Sequence, residues 1–128
     1  FMPAMLGLNA ARRALGAFFT RYDIWLTPTT PRPAEPWGRY HLGRADVALA
    51  DLATELFAPV CQYTLPHNLM GTPALSLPLA QTSDQLPIGV QLAAGPANEH
   101  LLLQLGRALE EALPWRGRVP PLYAGRAG

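Results

Sequence analysis

Two runs of alternating apolar residues, set either side of a short polar stretch, constrain this 128-residue chain more than any other feature. Leu75, Leu77 and Leu79 alternate with Ala74, Ser76 and Pro78; Ile88, Val90 and Leu92 alternate with Gly89, Gln91 and Ala93. A repeat of two is the side-chain period of a strand. The intervening Ala80 to Pro87, with Thr82-Ser83-Asp84-Gln85 inside it, reads as the loop of a hairpin. Pro78 has no N–H to give to a ladder, so it puts the first run at a sheet edge or at the end of pairing. Gly95-Pro96 closes the second run, and the period then lengthens. Leu101, Leu102, Leu105, Ala108, Leu109, Ala112 and Leu113 form a wide apolar stripe, the strongest helix signal in the chain. Asn98 is a good cap for it, Glu99 suits the positive end of its dipole, and Pro114 ends it.

The first half is built differently. Leu6, Ala10, Ala14, Ala17, Phe18 and Tyr22 recur at helical spacing, with Pro3 in the first turn, so a helix is expected over the first twenty-two residues. Asp23 breaks it. Ile24-Trp25-Leu26-Thr27 follows, an apolar tetrad without polar alternation, which predicts a short strand buried on both faces and ending at Pro28. Residues 28–44 hold Pro28, Pro31, Pro33 and Pro36 and then Trp37-Gly38 and Tyr40-His41, a proline-rich, solvent-facing loop. Asp46 then starts a helical stretch through Val47, Ala50, Ala53 or Thr54, and Phe57, which Pro59 ends. Val60 to Met70 suits a short helix with Pro66 near its first turn and Gly71 as its cap. Residues 116–128 are a Pro/Gly/Arg-rich tail, expected to fray beyond Tyr123. The order helix, strand, loop, helix, helix, hairpin, helix gives an α/β fold: a mixed sheet with covering helices. Three strands do not close a sheet by themselves. Part of the apolar surface is therefore expected to meet other protein, with self-association or a homodimer as one outcome.

Chemistry is sparse. All ten basic residues are Arg, nine acids leave a formal charge of +1, and charged residues make up 15% of the chain. That balance gives no electrostatic reason to expect nucleic acid as a partner, and basic stripes interleaved with aromatics are lacking. No apolar run approaches the roughly 18 residues needed to span a bilayer. Cys61 is alone, which excludes an internal disulfide and favours a reducing, cytoplasmic setting. Without lysine, no lysine base or Schiff-base former can come from these residues. Ser76 and Ser83 lie outside any Gly-x-Ser-x-Gly turn, and Ser76 reads as a filler on the face opposite the leucines. Cys61 and His67, six residues apart, do not share a helical face, and Cys61 reads as an ordinary buried thiol. His41, Cys61, His67 and His100 have no paired metal-ligand spacing, and no phosphate-cradling glycine pattern exists, so neither metal nor cofactor is expected.

Four segments in series carry more information than any of these. Tyr22-Asp23-Ile24-Trp25-Leu26-Thr27-Pro28-Thr29 is followed by Thr64-Leu65-Pro66-His67-Asn68-Leu69-Met70-Gly71-Thr72-Pro73-Ala74, by Ser76-Leu77-Pro78-Leu79, and by Leu86-Pro87-Ile88-Gly89-Val90-Gln91-Leu92. From about Phe18 to Trp115, in order and spacing, the chain resembles the carboxyl-terminal part of amidase-signature enzymes, among them amidases and the A subunit of glutamyl-tRNA amidotransferase. One departure is Gln85, where that family usually has Gly before Leu86-Pro87; it bears on the type of turn at the loop tip.

The resemblance implies that residues 1–128 are the carboxyl-terminal portion of an α/β/α amidase-signature domain. It implies hydrolysis of an amide or ester small molecule by a Ser-Ser-Lys triad in a Gly/Ser-rich region upstream. A chain without lysine cannot hold that triad, so no catalytic residue is assigned here and the chain alone is expected to be inactive. It also implies that the segment matching Thr64–Gly71 runs along the wall of the acyl pocket, which makes Thr64, His67, Asn68 and Gly71 candidate substrate-side residues. Asn68 can equally satisfy backbone groups at the Gly71 turn, and His67 is expected at a partly exposed pocket rim and not as a base. The alternative is a non-catalytic interaction or binding module that shares the hydrolase layout. A Gly/Ser-rich region and a lysine encoded ahead of Phe1 would separate the two.

Overall fold

The computed structural model describes residues 2–41, 43–51, 54–55, 58–120 and 123. Helix α1 runs Met2–Phe19, strand β1 Ile24–Pro28, helix α2 Ala58–Cys61, helix α3 Leu65–Met70, strand β2 Ala74–Gln81, strand β3 Pro87–Ala94 and helix α4 Glu99–Ala112. The three strands form one antiparallel sheet in the order β1-β3-β2, so the strand that comes last in the chain is central. Ile24 pairs with Ala94 and Pro28 with Val90 on one side, and Ala74 pairs with Ala93 and Gln81 with Pro87 on the other.

Register fixes which side chains share a face, because directly opposed residues point the same way. Leu75 opposite Leu92, and Leu77 in the next pair, look towards α4. Leu77, Leu92, Ala94 and Leu102 form the buried cluster, with Ile24, Leu75, Leu79, Leu105, Leu109 and Trp115 packed around it. The helix can lie this close because Gly106 has no side chain: a Cβ there would stand 2.6 Å from Leu75 Cδ2. The opposite face carries Trp25 and Ala93. Trp25 meets Phe18 of α1 at 5.7 Å between ring centroids and His67 of α3 at 5.5 Å. Arg12 of α1 donates to the Leu69 carbonyl at 2.8 Å, which ties α1 to α3. The layers are therefore α4, sheet, and α1 with α3. Between them the consecutive residues Gln91, Leu92, Ala93, Ala94 and Gly95 are all buried, as only a central strand covered on both sides can be.

The α/β layout, the hairpin, the proline loop and the last helix match the expectations from sequence. Pro78 falls where the β2–β3 register shifts, between Leu77 and Ala80, on an edge strand. The hairpin loop is shorter than expected, 82–86, because pairing continues to Gln81 and resumes at Pro87.

Other expectations are corrected. β1 is not buried on both faces: it is an edge strand, and Leu26 is 63% exposed on the α4 side, which α4 does not reach. Asp46 does not start a helix, because Arg44 engages its carboxylate, with Nε donating to Oδ1 at 2.9 Å. That hydrogen bond pulls the Asp46 carboxyl down to about 2. Among the described residues, a 3₁₀ turn at Leu49–Asp51 and π-helical backbone at Thr54 and Glu55 stand in its place. Pro59 lies inside the first turn of α2, while Ala53 and Phe57 lie outside the described residues. Asn98 occupies the cap of α4, but its side chain makes no capping bond. Ala108, Ala112 and Leu113 of the expected stripe are exposed, while Leu105 and Leu109 pack on the core cluster. The tail is held as far as Arg118, whose Nη1 donates to the Pro78 carbonyl at 3.2 Å; residues 124–128 lie outside the described residues.

Candidate functional site

On the α1/α3 side the sheet carries a row of polar groups. Thr27 of β1 and Ser76 of β2 both pair with Gln91 of β3, so the three side chains cross the sheet in a line. Gln91 is 3% exposed. Its Nε2 donates to Thr27 Oγ1 at 3.2 Å and to the Tyr63 carbonyl at 2.9 Å, just ahead of α3. A buried carboxamide left unpaired would cost about 1–3 kcal/mol, so these partners are a condition of placing glutamine there. One step along the strands, Thr29 N–H donates to the Gly89 carbonyl at 2.9 Å. The Thr29 and Ser76 hydroxyls lie 2.5 Å apart. They meet above Gly89, where a Cβ would stand 2.7 Å from Thr29 Oγ1 and 3.2 Å from Ser76 Oγ.

Helix α3 sits on this face. Thr64 precedes it, Pro66 is in its first turn where a missing N–H costs nothing, and Gly71 ends it at φ 72°, ψ 36°. The left-handed conformation makes glycine the natural residue at that end. Gly71 N–H and Thr72 N–H both donate to the His67 carbonyl, at 2.9 and 3.2 Å. Thr64 and Asn68 share one face: Asn68 Nδ2 donates to the Thr64 carbonyl at 3.3 Å, and Thr64 Oγ1 contacts the Cys61 carbonyl at 3.4 Å. Asn68 is exposed and Thr64 half-buried.

His67 points the other way. It is 5% exposed, packed edge-on against Trp25, with Nδ1 2.8 Å from Thr72 Oγ1. Burial lowers its pKa from 6.5, because imidazolium is poorly solvated there. The expected partly exposed rim position is thus corrected: a ring one position before the outward Asn68 turns beneath the helix, towards the Trp25 face.

The four residues singled out from sequence therefore separate. Asn68 is exposed and Thr64 half-buried, each side chain turned onto a local backbone carbonyl, His67 packs the helix against Trp25 of the sheet, and Gly71 shapes the turn. Sequence reasoning placed Ser76 on the face opposite the leucines and missed its link to Thr29. It also passed over Gln91, although an amide inside an apolar β run was the available signal. A cleft of about 640 Å³ between the hairpin tip and Trp115–Pro120 contains none of these groups. Among the described residues, no cluster of three or more His, Cys, Asp or Glu side chains is placed to hold a metal ion. No described helix is long and apolar enough to cross a membrane.

Residues 4–103 match the family model described as Amidase. The chain belongs to the amidase family. A putative amidase, AmiC, of Mycobacterium tuberculosis is 39% identical over 113 residues, which are 88% of this chain and 23% of that protein. The 6-aminohexanoate-cyclic-dimer hydrolase of a Pseudomonas strain is 37% identical over 107 residues, 79% of this chain and 21% of the relative. This amidase-family chain thus spans under a quarter of the length of these relatives. Its fold superimposes on 6-aminohexanoate cyclic dimer hydrolase complexed with substrate at a TM-score of 0.80, with 33% identity over 89% of this chain and 24% of that one. The A subunit of glutamyl-tRNA(Gln) amidotransferase from Thermotoga maritima superimposes at 0.69, with 29% identity over 99% of this chain and 26% of that one.

Proposed function

We propose that this chain is the carboxyl-terminal part of an amidase-signature hydrolase that cleaves C–N amide bonds of a small molecule. It supplies sheet, covering helices and part of the acyl-pocket wall, while the Ser-Ser-Lys triad lies in the preceding region. The observation that carries this reading is the family match over residues 4–103 in a chain with no lysine. The wall is the outer face of the α3 segment, where Thr64 and Asn68 lie one turn apart and Gly71 ends the helix in a left-handed turn. His67 and Gly71 set the shape of that wall. Amides or esters with a mainly apolar acyl part fit a surface where Leu65 and Leu69 are also exposed. The lone Cys61 suits a reducing, cytoplasmic setting. Exposed Leu26, Leu103 and Met2 support self-association, a homodimer being the simplest form.

The test is kinetic and uses the chain joined to the Ser-Ser-Lys portion of its amidase, with aryl amides and short linear amides as substrates. Asn68→Ala and Thr64→Ala are expected to raise KM several-fold while kcat changes less, as loss of wall contacts requires. Unchanged KM in both variants for every acyl length tried contradicts the assignment of this wall.

A further inference from the structure

We infer that Gln91 is a positioning residue that sets acyl-group affinity by holding α3 at its distance from the sheet. This rests on the reading of α3 as pocket wall and adds the element that orients it.

Gln91 is the point where the central strand and the start of α3 are joined by a side chain. The strand itself is fixed on both flanks by β1 and β2. From that fixed base the carboxamide reaches the Tyr63 carbonyl at 2.9 Å, one residue before Thr64. The Thr64 carbonyl in turn accepts from the Asn68 backbone N–H at 3.4 Å and from its side chain at 3.3 Å. A displacement of Tyr63 therefore carries Thr64 and Asn68 with it, the two proposed wall residues. The Thr64 N–H and hydroxyl also donate to the Cys61 carbonyl, at 3.1 and 3.4 Å, which ties the start of α3 to α2 and not to the sheet; His67 and Thr72 hold its far end, and Arg12 the Leu69 carbonyl. With six residues, α3 has little hydrogen bonding of its own to keep its first turn in place. A glutamine is the side chain this geometry needs. Its NH₂ offers two donors and serves both Tyr63 and Thr27, whereas a carboxylate there would only accept.

The experiment measures amide hydrogen exchange along the purified chain, with α4 and the β2–β3 hairpin as internal controls for folding. Gln91→Met, close in size and apolar, is expected to speed exchange of amides in 64–71 by roughly tenfold or more while α4 protection stays at the parent value. Thr27→Val removes only the other hydrogen bond and is expected to leave 64–71 unchanged. Gln91→Glu provides a readout that packing alone would not move: protection of 64–71 is low when the carboxylate is ionised and recovers as it protonates and regains a donor. Gln91→Met should show no such recovery. Unchanged protection in Gln91→Met, an equal loss in Thr27→Val, or a pH-independent Gln91→Glu overturns the tether. In the chain joined to its Ser-Ser-Lys portion, Gln91→Met is expected to raise KM at least fivefold with kcat within about twofold. If 64–71 loosens and KM does not move, the tether stands, and the pocket-wall reading with its effect on affinity falls.

Discussion

Gly89 is a strand glycine whose backbone does not demand one, so Gly89→Ala tests the energetic weight of the Thr29–Ser76 contact above it. In an ordinary strand the change would stabilise by about 0.5–1 kcal/mol, because alanine loses less entropy on folding. Here the new Cβ would meet Thr29 Oγ1 at 2.7 Å, Thr29 Cβ at 3.0 Å and Ser76 Oγ at 3.2 Å. The Thr29 Cβ is fixed by its own backbone, whose N–H is bonded to the Gly89 carbonyl, so it cannot swing aside. Overpacking of this kind costs about 1–3 kcal/mol, and the displaced hydroxyl pair adds about 1 kcal/mol. Set against the entropic gain, the expected loss is about 2 kcal/mol, or a fall in Tm of roughly 4–10 °C for a chain of this size. Thermal unfolding followed by circular dichroism at several protein concentrations reads it. Thr29→Ala removes the nearest clashing atom, so Gly89→Ala in that background should cost at least about 1 kcal/mol less. A neutral or stabilising Gly89→Ala, or additive costs in the double variant, would refute the reasoning.

Gln85 adopts φ 66°, so Gln85→Gly should raise stability by about 0.5–1 kcal/mol in chemical denaturation. Leu102, 3% exposed in the core cluster, should cost about 2–5 kcal/mol as Leu102→Ala. His67 has its pKa lowered from 6.5 in the folded chain, so the unfolded chain takes up the proton first. Stability is then full above pH 6.5 and declines as pH falls from there towards the folded-state pKa. His67→Leu should remove that slope in pH-dependent melting curves. Sedimentation velocity should show concentration-dependent association of the isolated chain, and a clean monomer at high concentration would contradict it.

What was legible in the sequence followed local period and local backbone geometry. The leucine alternation and the α4 stripe gave the hairpin and the last helix because each element buries a face that its own repeat defines. Gly71 was readable because its left-handed conformation is a local requirement. Gln85 was readable as a departure, and the structure supplies the reason glycine is usual there: the position has a positive φ. What escaped notice depends on neighbours distant in sequence. β1 looked doubly buried because four apolar residues do not tell an edge from a centre, and only the β1-β3-β2 order leaves Leu26 open. His67 looked like a rim residue because Trp25, forty-two positions earlier, is what covers it. Gln91 was passed over because its partner is a backbone carbonyl at Tyr63, a group with no sequence signature.

Turnover by the purified 128-residue chain, with and without the Ser-Ser-Lys portion proposed to precede it, tests the assignment most directly. The chain alone is expected to hydrolyse no aryl or linear amide above buffer, and hydrolysis is expected when the two portions are joined. Amide hydrolysis by the chain alone that disappears in Cys61→Ala would contradict it, since the reacting group would then lie within these residues.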